Sequence, residues 1–450
     1  MNTHARHRWF DRGMGAGSPN ILRLVEEGVA LVARYEHDTH ARQRRRKPQD
    51  EANHRTMVEA VIANLAHTVL LPDTGQRAVL IGKSRQPRTR YDHPAFGDTF
   101  PTVLRTLEGI GWATFHLSPA WGEASTIKPT PHLAAKVHEA GISLHDLKRD
   151  AGETVLLSRK ERHGKKPDAF TWDWIDYPET AQSTALRGQM ESLNAFLDKA
   201  DLRMEGVAGE TVDTHQRQQR RYFTARDTTS PCFDRGGRMF GGWWSNLPKA
   251  YRPGIRVDGE PISILDFSSM FPRLAYSSLG LQAPDGDLYD LPGFHGHRRA
   301  AKLIMNCFLF DEHHRCRWPQ VSAPEHAMPS GMTLPQARRS ILSIHPDLAP
   351  CFGKGLGHQL MFTESTILME VLMEMKTKGI VGLGLHDGLM VPRSRAPEVE
   401  RIMGEVSRSI TSIRIPVTVE PPEQHLRSTL QPTSLMRAIS PCPTEGAARV

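Results

Sequence analysis

Residues 261–276 read PISILDFSSMFPRLAY. A β-branched and apolar run over 262–265 delivers Asp266 at a strand end, and an apolar, helix-like segment follows. Two later stretches belong with it. Residues 296–310, GHRRAAKLIMNCFLF, form a basic helix on which Arg298 and Lys302 stand four apart and share a face, with Phe310 two turns on. Residues 378–392, KGIVGLGLHDGLMVP, give an apolar strand over 380–385, a tight His386-Asp387-Gly388 turn and a returning strand over 389–391.

Aspartates at adjacent strand ends are what a two-metal phosphoryl-transfer site requires. Mg²⁺ takes hard oxygen ligands, and carboxylates at the lip of a sheet bridge two ions about 4 Å apart. The ions lower the pKa of a primer 3′-hydroxyl and neutralise charge on the pentavalent phosphate. A helix bearing Arg and Lys holds a triphosphate, since paired cations offset its charge. A strand-end aspartate alone is usually a turn cap; the ordered trio of segments carries the chemistry.

The three segments resemble motifs A, B and C of family A DNA polymerases and of their relatives, the phage-type single-subunit RNA polymerases. DFSSMFPRLA is similar to the motif A pattern Asp-Tyr-Ser-x-x-Glu-x-Arg, with Asp266, Ser268 and Arg273 in matching places. RRAAK, residues 298–302, is similar to the start of the motif B helix, and Phe310 falls where that family has Tyr. LHDG resembles motif C, and GHQLMFTESTILMEVL resembles the Gln-x-x-x-x-Asp helix between B and C, with Gln359 and Glu364 in register. The resemblance covers roughly residues 240–410. It implies a polymerase palm with an antiparallel sheet and helical fingers, an α+β fold. It also implies two Mg²⁺ ions (Mn²⁺ as a substitute) on the catalytic pair Asp266 and Asp387. Arg298 and Lys302 would take the incoming triphosphate, Phe310 would stack by the nascent pair and Phe271 would gate the sugar. Arg273, Gln359 and His386 would contact the primer–template end.

Departures from the family pattern are specific. Phe271 replaces the motif A glutamate, and a bulky ring there excludes a 2′-hydroxyl, as the Tyr of the family B motif Asp-Phe-x-Ser-Leu-Tyr-Pro does. That favours deoxynucleotides, whereas Phe310 in place of Tyr loses a hydroxyl and loosens the discrimination. Asn306 stands near an expected Phe, and Gly388 removes the second acid of motif C. The short A-to-B spacing implies reduced fingers.

Upstream, FDRGGRMFGGWWSNLPKAYRPGIRV (233–257) supplies Arg235, Arg238, Arg252 and Arg256 with Trp243 and Trp244, a pattern read as a primer–template contact. In HQRQQRRYF (215–223), Arg217, Arg220 and Arg221 lie along a backbone path with Tyr222 and Phe223 beside them for stacking. Residues 258–260, Asp-Gly-Glu, occupy a hairpin turn before motif A, so no proofreading site is expected. The Asp311-to-Cys316 run DEHHRC packs its polar groups too closely for a metal site.

The rest of the chain divides by composition. Residues 1–50 read as a basic flexible arm with one amphipathic stretch, ending in Arg42, Arg44, Arg45, Arg46 and Lys47. Residues 51–150 resemble the winged helix of plasmid replication initiators and bacterial regulators, with a recognition helix over 101–110 and a wing over 111–128. Residues 151–235 are expected to be a helical, thumb-like linker, 236–425 the palm and 426–450 a frayed tail. Net charge is +7 over 450 residues, which points to an anionic partner such as DNA. Five scattered cysteines and no secretion signal or apolar span fit a cytoplasmic protein without a membrane partner.

The function expected is template-directed DNA synthesis from nucleoside triphosphates on a DNA primer–template, in a plasmid, phage or mobile element whose origin DNA the front domain would find. An RNA polymerase or primase of the same fold, and a non-catalytic replication initiator, are the alternatives.

Overall fold

The computed structural model describes residues 8–71, 75–81, 89–118, 123–150, 152–162, 170–206, 212–226, 232–321, 323–385 and 387–420. It is an α+β protein with mainly antiparallel sheets, the fold class that the resemblance implies. His386 and the 426–450 tail lie outside the described residues.

The first core belongs to residues 14–147. Strands β1 (Arg8–Trp9) and β2 (Met14–Ala16) lead into helices α1 (Pro19–Asp38) and α2 (Pro48–Leu70). Then come β3 (Arg77–Val79), α3 (Phe100–Gly109), β4 (Ala113–His116), β5 (Ser125–Pro129), α4 (Pro131–Glu139) and β6 (Leu147–Arg149). Ser18 caps α1 by accepting from the Asn20 amide, and Pro19 starts the helix where no amide donor is needed. The sheet order is β1-β3-β5-β4, and β2 pairs with β6.

The expected flexible arm is therefore corrected. Ile21, Leu24, Val25 and Val32 of α1 are buried with Val58, Val61 and Ile62 of α2, because the amphipathic stretch has a partner helix to cover it. Within the basic cluster, Arg46 is largely buried and bonds Glu36 at 2.5 Å, while Arg42, Arg44, Arg45 and Lys47 are exposed.

The described residues of 155–241 hold five strands and one helix rather than the helical linker expected. Strands β7 (Val155–Arg162) and β8 (Phe170–Trp174), helix α5 (Ala181–Lys199), strand β9 (Leu202–Met204), and strands β10 (Gln219–Thr224) and β11 (Gly236–Gly241) follow in order. Four of the strands make a sheet ordered β11-β10-β7-β8. Run QRRYFT alternates buried and half-buried along β10, a period of two that places Arg221 and Phe223 inside. Arg221 is 2% exposed and donates to the Gly237 carbonyl and to Ser365 Oγ. Arg217 is buried too, its guanidinium donating to the carbonyls of Leu197, Asp198 and Ala200 at the end of α5. Neither is available to a nucleic-acid backbone.

The largest core lies under a second sheet, ordered β14-β15-β13-β12-β9 with β16 also paired to β13. Its elements are β12 (Ile255–Val257), β13 (Glu260–Phe267), α6 (Met270–Ser278), α7 (Arg298–Phe310), α8 (Leu334–Ile344), α9 (Gly357–Thr377), β14 (Leu383–Leu385), β15 (Gly388–Pro392), α10 (Ala396–Thr411) and β16 (Val417–Glu420). Asp258 (φ 52°) and Gly259 (φ 78°) turn β12 into β13, the hairpin read from Asp-Gly-Glu.

A buried polar chain joins the front unit to the rest. His67 of α2 donates from Nε2 to Asp213 Oδ2 at 2.7 Å, and Arg149 of β6 donates to the same oxygen at 2.6 Å. Arg77 donates to His67 Nδ1 and, at 3.1 Å, to the Trp9 carbonyl. Burial holds the His67 pKa down at about 3, so the ring is neutral, with one nitrogen donating and the other accepting. Asp213 stays ionised against its burial because Arg149 and His67 face it. Replacing Asp213 by Ala leaves buried Arg149 with only the more exposed Asp11, 3.2 Å away, as its counter-charge and is expected to cost about 3 kcal/mol, measured by urea unfolding.

Candidate functional site

Strand β13 brings Asp266 to the middle of the second sheet. It pairs antiparallel with β15 in a register that sets Asp266 opposite Gly388, and on its other edge with β16, setting Asp266 opposite Thr418. The Phe267 amide donates to the Asp387 carbonyl at 3.3 Å, so the two aspartates sit side by side on neighbouring strands. Among the described residues, neither carboxylate has a hydrogen-bond or ion-pair partner. Burial first, then the charges of Asp387 and Glu420, push the Asp266 pKa up to about 6, opposed by Arg252 and Lys302.

Gly388 is the only residue type that fits its place. A Cβ there would fall 1.8 Å from Asp266 Oδ1 and 2.8 Å from the Leu265 carbonyl. The space that a side chain would take at this position is filled by the Asp266 carboxylate.

The turn after β13 is held from several sides. Ser269, at φ 50°, caps the entry to α6, and its hydroxyl donates to Asp287 and accepts from the Leu288 amide. Arg273, expected at the primer–template end, is buried and donates to the carbonyls of Ser268, Pro284 and Gly286. It fastens the 284–287 loop to α6 instead. Buried His345 completes the clamp, accepting from the Tyr276 hydroxyl and donating to the Leu288 carbonyl.

That loop presents Asp287 to Arg298, which holds it with two guanidinium hydrogen bonds, one of 3.0 Å. Arg298 and Lys302 are exposed on α7, and their cations lie 5.4 and 6.0 Å from the Tyr289 ring centroid. Tyr289 is buried below them, its pKa raised by burial and by the nearby Asp387 charge. Nothing in its surroundings in the sequence, DLYDLPG, marks Tyr289 as part of a site; only the fold brings it there.

Phe271 and Phe310 meet edge to face at 5.2 Å. Gly357 opens α9 directly against Phe310, where a Cβ would come within 2.2 Å of the ring. Arg238 lies over Phe271, its guanidinium carbon 5.5 Å from the centroid, and is held by two bonds of 2.6 and 3.0 Å to Glu364. Glu364 is 0% exposed, its pKa raised by burial and lowered by Arg238. Gln359 is exposed in the first turn of α9.

Trp243 does not offer the stacking surface expected of it. It is 3% exposed, packed against Trp244 at 6.1 Å, and Trp244 donates to the Gly384 carbonyl behind β14. Paired glycines at 241 and 242, both at positive φ, turn these rings inward. Arg235 is buried, and Arg256 is paired with Glu205. From that segment Arg238 faces Glu364 and Asp387, Arg252 faces Asp266, and Lys249 pairs with Glu420 at 3.8 Å.

Among the described residues, no group of three or more His, Cys, Asp or Glu side chains is placed to hold a metal ion, and no helix is long and apolar enough to cross a membrane. No family model matches the chain, and no curated protein matches it. Among solved structures, the POL domain of Pol1 from M. smegmatis, in complex with DNA primer-template and dNTP, is similar over 90% of this chain and 69% of that one, at 11% identity and a TM-score of 0.29. At that score the reading of the site rests on this chain's own geometry.

Two outcomes are expected. Asp266 has a folded pKa above the ordinary carboxylate value, so its ionised form strains the fold at neutral pH and the strain is relieved as pH falls through about 6. Asp266→Asn should therefore melt above the parent protein at pH 8, with the difference closing by about pH 4, as read by thermal unfolding. Gly388→Ala should cost about 1–3 kcal/mol by overpacking, and the loss should shrink when Asp266 is also Ala, as a double-mutant cycle measures.

Proposed function

We propose that the chain catalyses template-directed nucleotidyl transfer, adding deoxynucleotides to a primer on a DNA template. The observation that carries this reading is the pairing of β13 with β15, which sets two unpartnered carboxylates side by side below the cationic face of α7. Two acids with no ion-pair partner among the described residues, one of them with its pKa raised by burial and then by the charge of the other, suit a divalent metal pair. Asp266 and Asp387 would hold Mg²⁺ through their carboxylate oxygens. Bound there, the ions would supply charge neutralisation at the reacting phosphate.

The chain's own groups do the rest. Lys302 and Arg298 take the triphosphate, Arg298 exchanging Asp287 for phosphate oxygens of the same bidentate geometry. Phe310 stacks beside the incoming base. Phe271, fixed between Phe310 and Arg238, fills the space a 2′-hydroxyl would need. The primer 3′-hydroxyl attacks the α-phosphorus and loses its proton to solvent, forming the new P–O bond as the bond between the α-phosphorus and the bridging oxygen breaks and pyrophosphate leaves with its charge on α7. His386 and Gln359 are assigned to the primer–template end.

The front unit suits a DNA-binding role in replication of a plasmid, phage or mobile element. Its helix α3 followed by the β4–β5 hairpin, on a sheet with β3, has the element order of a winged helix, and Thr102, Arg105 and Glu108 are exposed on α3.

Primer extension with Mg²⁺ tests the proposal. Labelled primer–template should be extended with dNTPs, and Asp387→Ala should abolish extension. Extension by NTPs alone, or synthesis without primer, would make the protein an RNA polymerase or primase; no extension with retained DNA binding would make it an initiator.

A further inference from the structure

We propose that Arg252, with Lys249 beside it, grips the phosphodiester next to the 3′ end of the primer. The assignment rests on the polymerase reading and adds to it the side from which the primer arrives.

The strand that carries Asp266 has two edges. On the β15 edge stands Asp387, whose charge reaches Tyr289 under the cations of α7. On the opposite edge β16 sets Thr418 beside Asp266, and a turn at Lys249–Gly254, just ahead of β12, brings up Arg252. Solvent reaches this side. Thr418 is exposed, and the side chains of Lys249 and Glu420 are 62% and 61% exposed.

Arg252 is half-buried, and the hydrogen bond it makes is a long one of 3.4 Å from Nε to the Leu247 carbonyl. Among the described residues its guanidinium has no ion pair. The charge facing it is that of Asp266, which stays beyond ion-pair distance. Arg256, four residues on, is by contrast paired with Glu205 at 2.7 Å. A partly desolvated guanidinium with donors unmade costs free energy, which an anionic ligand offsets.

The turn that presents Arg252 is held from beneath. Tyr251 is buried in the largest core. The Gly254 carbonyl accepts from the Glu205 amide at 2.8 Å, and Arg256 donates to the Pro253 carbonyl at 2.8 Å.

Chemistry selects the ligand. A guanidinium is a planar fork that matches two oxygens of a phosphate. In nucleotidyl transfer the attacking and leaving oxygens lie roughly in line, on opposite sides of the α-phosphorus. Pyrophosphate leaving onto α7 therefore requires the primer end to come from the other side of Asp266, which is the β16 edge. The last phosphodiester of the primer is the anion that arrives there. Lys249 exchanges its exposed 3.8 Å contact with Glu420, a weak pair, for the same strand.

The test is a binding cycle on the full chain, without nucleotide. Arg252→Gln and Arg252→Lys are titrated by fluorescence anisotropy with a labelled primer–template whose last primer linkage is a phosphodiester or a neutral methylphosphonate; circular dichroism melting checks the fold. Arg252→Gln and the methylphosphonate should each weaken binding about tenfold, and together no more than either alone. Arg252→Lys, which keeps the charge but not the fork, should lose less than Arg252→Gln. A methylphosphonate one helical turn upstream should add its loss to that of Arg252→Gln. Additive losses at the last linkage would overturn the assignment. So would an Arg252→Gln that binds primer–template as the parent does and raises only the KM for dNTP, since Arg252 would then serve the triphosphate. Should the Arg252 variants fail to fold, Lys249→Gln, on an exposed side chain, is put through the same cycle with the same criterion. Primer extension by the parent keeps the two proposals apart. Extension with additive losses leaves the polymerase reading and removes the Arg252 contact; coupled losses without extension leave the contact and remove the polymerase reading.

Discussion

The packing of the Asp266 carboxylate against the bare Cα of Gly388 is the constraint on which the site depends. It forces glycine into β15, fixes the register of β13 and β15, and brings the Asp387 backbone to the Phe267 amide. A one-residue slip between these strands would turn Asp266 to the other face and separate the charges. Because burial and like charge raise the Asp266 pKa, the sheet holds this pair together at a cost in free energy that the surrounding core offsets. Unfavourable local electrostatics maintained by good packing is the usual signature of a site kept for its chemistry.

The supporting shell is built mostly from carbonyls and rings. Arg273, Ser269 and His345 immobilise the loop that carries Asp287 and Tyr289, so the cations of α7 rest on a fixed surface. Arg238 and Glu364 do the same for Phe271. In both places an arginine that looks in sequence like a ligand for phosphate is spent on holding protein. The distinction lies in burial: Arg298 and Lys302 remain exposed, and Arg273 does not.

Much of the second half was legible in the residues. The strand, turn and helix around Asp266, the basic helix at Arg298 and the Asp387 turn follow from short periodic runs bounded by glycine and serine, and local patterns of that kind survive folding. Arg217, Arg221, Trp243 and the first fifty residues were misleading for one reason. Charge and aromaticity report what a side chain can do, whereas its role depends on whether a distant segment covers it. Arg221 is sealed by α9, more than a hundred residues later, and α1 by α2. Tyr289 and Glu420 carry no local signal, and their part in the site comes wholly from tertiary pairing.

Strand β16 gives the chain an order in time. The Thr418 hydroxyl bonds the Asp266 carbonyl across 152 positions, and until that segment emerges from the ribosome one edge of β13 has no neighbour beside the aspartate. The front unit, closed by residue 149, is free to fold long before. Synthesis thus delivers a folded front end attached to an unfinished sheet whose bare, apolar edge invites pairing with other chains. The sheet around Asp266 is complete only once residues 417–420 arrive, and a ribosome that stalls before residue 417 releases a chain with its front unit complete and one edge of β13 unpaired.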